Sequence, residues 1–542
     1  PPLRREWTLG VRPAWPAQQR QFRTVLGAEP WSLPAGTLAD FAPAGREAVL
    51  ALSSRPPLNL GEQIRALKAY PYGCLEQTTS GLFPSLYADA ASLRRLGLEG
   101  EPDEQRRRSI ERGIERLLGM QRHNGSFGLW SAESEEEHWL TAYVGDFLLR
   151  AREQGFAVPE AALERATDRL LAYLQQPGLI DAHYTEDFAH TRFAVQAYAG
   201  YVLARSRQAP LGALRSLFER RGEARSGLPL VQLAAALKLM GDAPRAAQAL
   251  AQGLVLARDG EQWLADYGSP LRDQALIFAL LEEHDLAAGQ REQRLFGLAE
   301  ELAGRSWLST QERNALFLAG RGLLGRPEGA WTAQLASGER RIELSDVRPN
   351  LHLADGELAE PLTLHGVAGM PLYQQLTLSG YPARAPAAGG ENLSIEREYL
   401  QPDGQPLDVT RLRSGELVLV HLAVRARQRV PDALVVDLLP AGLELENQNL
   451  AQSAASLADA GSQVGDWLRA MQAGRVRHQE YRGDRYVAAV DVDAYDTTHL
   501  LYLARAVTPG HYRVPLPQVE SMYRPSWQAL GRAPERMVVR AP

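Results

Sequence analysis

Between about Leu58 and Gly329 the chain carries long Ala-, Leu-, Arg- and Glu-rich periodicities with hardly any β-branched runs, which commits half of it to helix. Apolar helical segments recur at Trp139-Leu-Thr-Ala-Tyr-Val144, Phe193-Ala-Val-Gln-Ala-Tyr198, Leu230-Val-Gln-Leu-Ala-Ala235, Ala275-Leu-Ile-Phe-Ala-Leu280 and Ala315-Leu-Phe-Leu-Ala319. With the helix that follows Cys74 they make six, spaced by about forty to fifty residues, the mark of repeated helical hairpins. More charged, amphipathic helices over 104–120, 159–175 and 291–303 lie between them. The pattern predicts an α/α toroid with an apolar inner ring and an amphipathic outer one.

The flanks read differently. Residues 1–57 hold short apolar runs such as Trp7-Thr-Leu-Gly-Val11 and Glu47-Ala-Val-Leu-Ala-Leu52, bounded by Pro and Gly as strands are. Residues 330–382 return to alternation at Arg341–Leu344, Leu351–Leu353 and Tyr373–Leu378. So few strands before the helices cannot close a core alone, so the two flanks are expected to pair into one β-domain with the toroid inserted in it. Tyr381–Gly390, rich in Pro and Ala, reads as a linker. The all-β pattern over 391–542, with one helical interruption at about 454–472, predicts a β-sandwich.

One short stretch carries chemistry: Tyr70-Pro-Tyr-Gly-Cys-Leu-Glu-Gln-Thr-Thr-Ser80, with the only cysteine among 542 residues. A helix start is predicted after Gly73, with Pro84 inside it and Leu82, Leu86, Ala90 and Leu93 on one buried face. Positions i and i+3 share a helix face, so the Cys74 sulfur can reach the Gln77 side-chain carbon. A helix N-terminus favours the thiolate, the attacking species. Attack with loss of ammonia would leave an internal thioester, an acyl group held for an outside nucleophile. Tyr70, Tyr72, Leu75 and Phe83 supply the apolar surroundings that keep water from such a bond. Taken without its neighbours, a lone cysteine is more often a small buried hydrophobe.

The Tyr70–Ser80 stretch resembles the thioester signature of the α2-macroglobulin and complement C3 superfamily, and its Cys-Leu-Glu-Gln form resembles the bacterial branch. Gly125-Ser-Phe-Gly-Leu-Trp130 and Trp139–Tyr143 are similar to hallmark segments of that family's thioester domain, and Val519-Glu-Ser-Met-Tyr-Arg-Pro525 to the terminal motif of bacterial members. The resemblance implies a toroidal thioester domain at 58–329, a CUB-like domain in two parts at 1–57 and 330–382, and a macroglobulin-like, receptor-binding-type sandwich at 391–542. It implies a broad-spectrum endopeptidase inhibitor of the bacterial envelope, not an enzyme. After a bait region elsewhere is cleaved, a protease lysine takes the Gln77 acyl group and Cys74 leaves. It also implies that Tyr70 and Met522 cover the bond, and that a histidine about a hundred residues on can relay the acyl group, for which His183 and His190 are the candidates. The implied setting is the periplasm, with the inner membrane reached only through an N-terminal lipid anchor absent from this sequence. Target proteases are the implied partners, with a peptidoglycan synthase (penicillin-binding protein) as a further one. Two other functions compete: a scaffold for cell-wall synthesis proteins without thioester chemistry, and a toroidal hydrolase.

Other features exclude more than they suggest. A net charge of −6, from 59 basic and 65 acidic residues, points to no nucleic-acid partner. No apolar run has transmembrane length, and the Pro1-Pro2 start, with neither initiator methionine nor secretory h-region, reads as a piece of a longer protein. His183, Glu186, Asp187 and His190 have no zinc-site spacing, so no metal and no cofactor are expected. Glu133, Glu135–Glu137 and Asp181, which could mimic glycosidase carboxylates, read as a solvated charge run. Arg482-Gly-Asp484 reads as a turn between two strands.

Overall fold

The computed structural model describes residues 13–542 except 28, 35, 44, 56, 71–72, 182–186, 261, 306, 324–329, 347–348, 359, 367–371, 447–461 and 525. The chain divides into two compact units, one of Arg20–Leu33 and Glu47–Leu378 and one of Pro1–Gln19, Pro34–Arg46 and Ser379–Pro542.

In the first unit, Leu75–Tyr87, His138–Glu153, Phe188–Arg205, Gly227–Leu239, Pro270–Glu283 and Thr310–Gly320 form the inner helices. Their burial is nearly all-round, as in Gly227–Leu237, where every residue is buried. Each packs on the next and the last packs back on the first, which closes a ring. Outer helices return the chain between them and bury one face only: Ile110, Ile114 and Leu117 in Asp103–Leu118, and Leu295, Leu298 and Leu302 in Arg291–Ala303. The outer helix Leu60–Ala69 lies beside the junction of first and last inner helices. This is the toroid that the apolar recurrence predicts.

Because outer helices carry the chain back, the inner ones run parallel and their N-termini share one end. Carboxylates gather there: Glu76, Glu137, Asp273 and Glu312 all lie within the first turn of an inner helix or at its cap. At the other end Arg150, Arg205 and Arg321 converge on Glu283. Both placements oppose the helix dipoles with the stabilising charge.

One local expectation fails. The helix after Cys74 stops at Tyr87, and a second, Ala90–Arg95, begins with Asp89 as its cap, accepting the Ser92 N–H at 2.8 Å. Leu86 and Leu93 are buried as expected, but Leu82 and Ala90 are only half-buried, and Leu75, Thr79 and Phe83 join Leu86 on the inward face. An aspartate side chain that satisfies a helix N–H outcompetes continuation of the preceding helix.

Strands from both sides of the helical region share sheets. Glu47–Ala51 pairs antiparallel with Asn350–Ala354, and Trp31–Ser32 with Thr363 and Leu364. The two sheets have four strands each. The Trp7–Val11 run lies outside the described residues.

The second unit is a sandwich of antiparallel sheets. Leu393–Leu400, Leu417–Ala426, Thr498–Ala506 and Leu443–Leu445 make one, and six strands around Val430–Leu438 and Arg485–Val492 make another. Inward-facing Val418, Val420, Leu422, Val435, Ala488, Val490, Leu500 and Tyr502 form the core, alternating as half-buried strands require. The helix Ser462–Gln472 packs on the first sheet through Val464 and through Trp467, whose ring stacks on His421 at 3.8 Å. Gly483 and Asp484 make the turn between Val476–Arg482 and Arg485–Val492. Tyr381–Gly390 is more than a linker: Tyr381 O accepts the Ala42 N–H, and Gly389–Gly390 pairs with Ala529–Leu530. Among the described residues no helix is long and apolar enough to cross a membrane.

Asp432 lies buried in this unit with Arg477 at 3.4 Å, and burial pushes its carboxyl up to about 6 from 3.8. The protonated form is thus favoured by the fold, so its contribution is complete below pH 4 and lost as pH rises through 6. Two pH units correspond to about 3 kcal/mol. Denaturant titrations across this window should show stability falling with pH by up to that amount, and Asp432→Asn should flatten the slope; an equal slope in the variant refutes the assignment.

Candidate functional site

Cys74 and Gln77 sit where the ring closes, at the start of the first inner helix. Tyr70 ends the Leu60–Ala69 helix in an extended conformation, and Cys74 caps the Leu75–Tyr87 helix. Three contacts hold the chain around Cys74. Arg116 Nη2 donates to Gly73 O at 2.8 Å, and a Cβ on Gly73 would stand 2.3 Å from that nitrogen, so only glycine lets the guanidinium close in. Leu129 O accepts the Leu75 N–H at 2.8 Å, satisfying a helix-terminal donor. The Cys74 carbonyl in turn accepts from Thr78 N at 2.9 Å.

Within this frame the Gln77 side chain folds back over its own helix terminus. Its Oε1 accepts the Cys74 backbone N–H at 3.3 Å, and its Nε2 donates to the Tyr70 hydroxyl at 3.2 Å. The carboxamide is held at both ends, with Cys74 fully buried and Gln77 5 % exposed. Attack by Cys74 sulfur on the Gln77 carbonyl carbon would move negative charge onto Oε1, where the Cys74 N–H already points. A donor aimed at developing charge in a dry site is the arrangement that lowers such a barrier. The arrangement holds the parts that intramolecular acyl transfer from amide to thiol requires: a buried thiol, a fixed carboxamide and an N–H on its oxygen.

Glu76, between Cys74 and Gln77, has a structural part that sequence reasoning missed. Fully buried, it accepts from Ser80 Oγ (2.6 Å), Thr310 Oγ1 (2.6 Å) and Gln311 Nε2 (2.9 Å), tying the first inner helix to the last. Burial raises its carboxyl above the usual range, against the lowering effect of those donors and of Arg272. Ser80 also meets the Tyr143 hydroxyl at 2.7 Å, and that hydroxyl accepts from Asn314 at 2.6 Å. Ser309 and Glu312 form a reciprocal capping box at the start of the last inner helix. The Ser-Thr-Gln-Glu run before an apolar segment is a sequence signal for that cap.

The hallmark segments take mechanical roles. Gly125, at φ +88°, passes so close to Arg165 O that a Cβ would stand 2.0 Å from it, and the loop it turns delivers the Leu129 carbonyl to Leu75. Thr141 Oγ1 accepts the Phe127 N–H at 3.0 Å. Trp139 stacks on Tyr143 on one side and lies 4.9 Å from the Arg272 guanidinium. Arg272, fully buried, pairs with Asp266 and Asp273, each at 2.8 Å, and Arg258 pairs with the same two carboxylates. Despite its burial, the two guanidinium groups hold Asp266 well below the usual carboxylate range.

The remaining sequence candidates are placed as follows. His190 is completely buried, its Nδ1 accepting the Arg225 N–H at 3.0 Å while Nε2 has no hydrogen-bond partner among the described residues. Burial lowers its pKa, and the charges it feels are Asp266, Arg258, Asp273 and Asp187. His183 and Glu186 lie outside the described residues. Met522 belongs to the second unit, buried, with its backbone N–H on Asp432 O at 3.0 Å. The acidic run is not solvated throughout. Although burial opposes ionisation, His138, Tyr173 and Arg169 hold the Glu136 carboxyl at about 2, and Glu137 accepts from Tyr267. Arg169 and Tyr173 lie on the helix Glu160–Gln175 and Tyr267 in a loop 130 positions on, out of reach of local pattern. Among the described residues no group of side chains is arranged to hold a metal ion.

Comparison with known proteins agrees with this architecture. Residues 51–188 match the A-macroglobulin TED domain, and residues 393–526 the bacterial α2-macroglobulin MG10 domain. The α2-macroglobulin of Escherichia coli K12 is 51 % identical over 539 residues, 99 % of this chain and 32 % of that protein. This chain thus spans about a third of the length of that relative. The crystal structure of the native E. coli protein from domain MG7 to the C-terminus overlays with a TM-score of 0.94, covering 98 % of this chain and 84 % of that one. Salmonella α2-macroglobulin reacted with methylamine, 49 % identical, overlays at 0.93, covering 99 % and 34 %. The E. coli protein activated by porcine elastase, 50 % identical, overlays at only 0.50, covering 98 % and 47 %.

Proposed function

The chain belongs to the bacterial α2-macroglobulin family, a family of protease inhibitors and not of enzymes, and corresponds to its C-terminal region; from that premise we propose that Cys74 and Gln77 form an internal thioester that captures an attacking protease. The observation that carries this reading is the Gln77 carboxamide, folded over Cys74 and held at both oxygen and nitrogen. A lysine amine attacks the Gln77 carbonyl, the acyl group passes to nitrogen, and Cys74 leaves as thiolate, so each molecule acts once. Two findings on relatives support it: the Salmonella protein was reacted with methylamine, a small amine, and the E. coli protein is activated by elastase. The trigger, a bait region cut by the protease, would belong to the rest of the full-length protein, as would attachment to the inner membrane on the periplasmic side. In this proposal Tyr70 and Met522 cover the bond until activation, the β-strands flanking the toroid form the CUB-like domain, and primary amines need no histidine relay. A peptidoglycan synthase remains a proposed neighbour through the envelope setting alone.

Intact mass with and without methylamine tests the bond. The native chain should weigh one ammonia less than its sequence, gain one methylamine and release one thiol together, and Cys74→Ala should do none of these. A freshly prepared chain at full mass with an accessible thiol and no methylamine gain would sink the proposal.

A further inference from the structure

Forming the bond poses a problem that covering it does not. Once sulfur has added to the Gln77 carbonyl carbon, thiolate is a far better leaving group than an amide anion, so the adduct reverts unless its nitrogen is protonated first. Tyr70 supplies a hydroxyl at that atom, 3.2 Å from Nε2. In the resting carboxamide the nitrogen lone pair is delocalised, so Nε2 donates and Oη accepts. In the tetrahedral adduct the same nitrogen is basic, and the proton can run the other way across the same contact.

Resting on the thioester reading above, we propose that the Tyr70 hydroxyl is a catalytic acid–base group for making the bond and for its aminolysis. The Cys74 Sγ–Gln77 Cδ bond forms and charge gathers on Oε1 at the Cys74 N–H. The Cδ–Nε2 bond then breaks as Oη delivers its proton, and nitrogen departs as ammonia. The proton lost by the thiol to solvent is balanced by the one that restores the phenol, so thiol plus carboxamide gives thioester plus ammonia. By microscopic reversibility the same oxygen takes a proton from an incoming amine as Cys74 is expelled. A residue that only covered the bond would need a ring and no hydroxyl. The geometry instead aims the hydroxyl at the reacting nitrogen, from the end of the helix beside the ring junction.

Tyr70→Phe keeps the ring and removes the proton. Peptide mass mapping of position 77, with the rate of methylamine consumption, reads the result. The proposal expects either an unreacted glutamine beside a thiol, or a bond that consumes methylamine about 10²-fold more slowly than wild type. It is overturned by glutamate at position 77, which records a bond that formed and was then hydrolysed, or by a bond at wild-type level that reacts at the wild-type rate or faster. Should wild type itself lack the bond, the underlying reading falls, which is a separate outcome. If Tyr70→Phe loses the native circular dichroism, 3-fluorotyrosine at position 70 replaces it: its more acidic phenol should move the pH profile of methylamine consumption to lower pH, and an unmoved profile overturns the proposal.

Discussion

Replacing Arg272 with alanine is expected to destabilise the helical unit by about 3–5 kcal/mol, the cost of stranding buried charge. Arg272 is entirely buried between Asp266 and Asp273 and lies against the Trp139 ring. Its removal leaves two carboxylates to Arg258 alone and opens a hollow beside Trp139. Lysine should rescue little, because a point charge cannot pair with both carboxylates and lie along an indole as a planar fork does. Amide exchange in the inner helices under denaturant reads the loss within this unit. A decrease below about 1 kcal/mol would show that water or a rearranged Arg258 satisfies the pair.

The second large effect is expected at Glu76. Glu76→Ala removes the acceptor shared by Ser80, Thr310 and Gln311 and leaves three buried donors without it, which should cost about 3 kcal/mol. Exchange protection should fall in Leu75–Tyr87 and Thr310–Gly320 before it falls in Gly227–Leu239, on the far side of the ring. Methylamine uptake should fall as well, since the turn that carries Cys74 and Gln77 loses its anchor. Glu76→Gln should lose less, because its carbonyl keeps an acceptor for some of these donors. Uniform loss of protection around the ring would mean that Glu76 stabilises the unit without specially closing it.

Sequence legibility follows from the range of the forces involved. The six inner helices could be read because a helix covered on every side must be apolar on every side, and Leu230–Ala235 displays that without reference to any partner. The meeting of Gln77 with Cys74 could be read because the cap residue and the third residue of a helix face one another. Glu76, Arg258 and Arg272 could not be read, since a buried paired charge looks like a surface charge until the helices carrying its partners are in place. Thr310 and Gln311 lie more than 230 positions from Glu76. The Asp89 cap was local and legible, yet the apolar spacing of Leu82, Ala90 and Leu93 masked it.

The chain enters the helical region after Glu47–Ser53 through Leu60–Ala69, which packs on both Leu75–Tyr87 and Thr310–Gly320, and the last inner helix before Thr332–Ser337 is Thr310–Gly320 itself. Tension applied through the β-strands would therefore arrive as shear across that one seam, while the other five inner interfaces carry no direct load. The thiol sits on the seam. With the thioester proposed above, strain in the strands and exposure of its acyl group would be one mechanical event, opposed by the Glu76 hydrogen bonds that join the two helices.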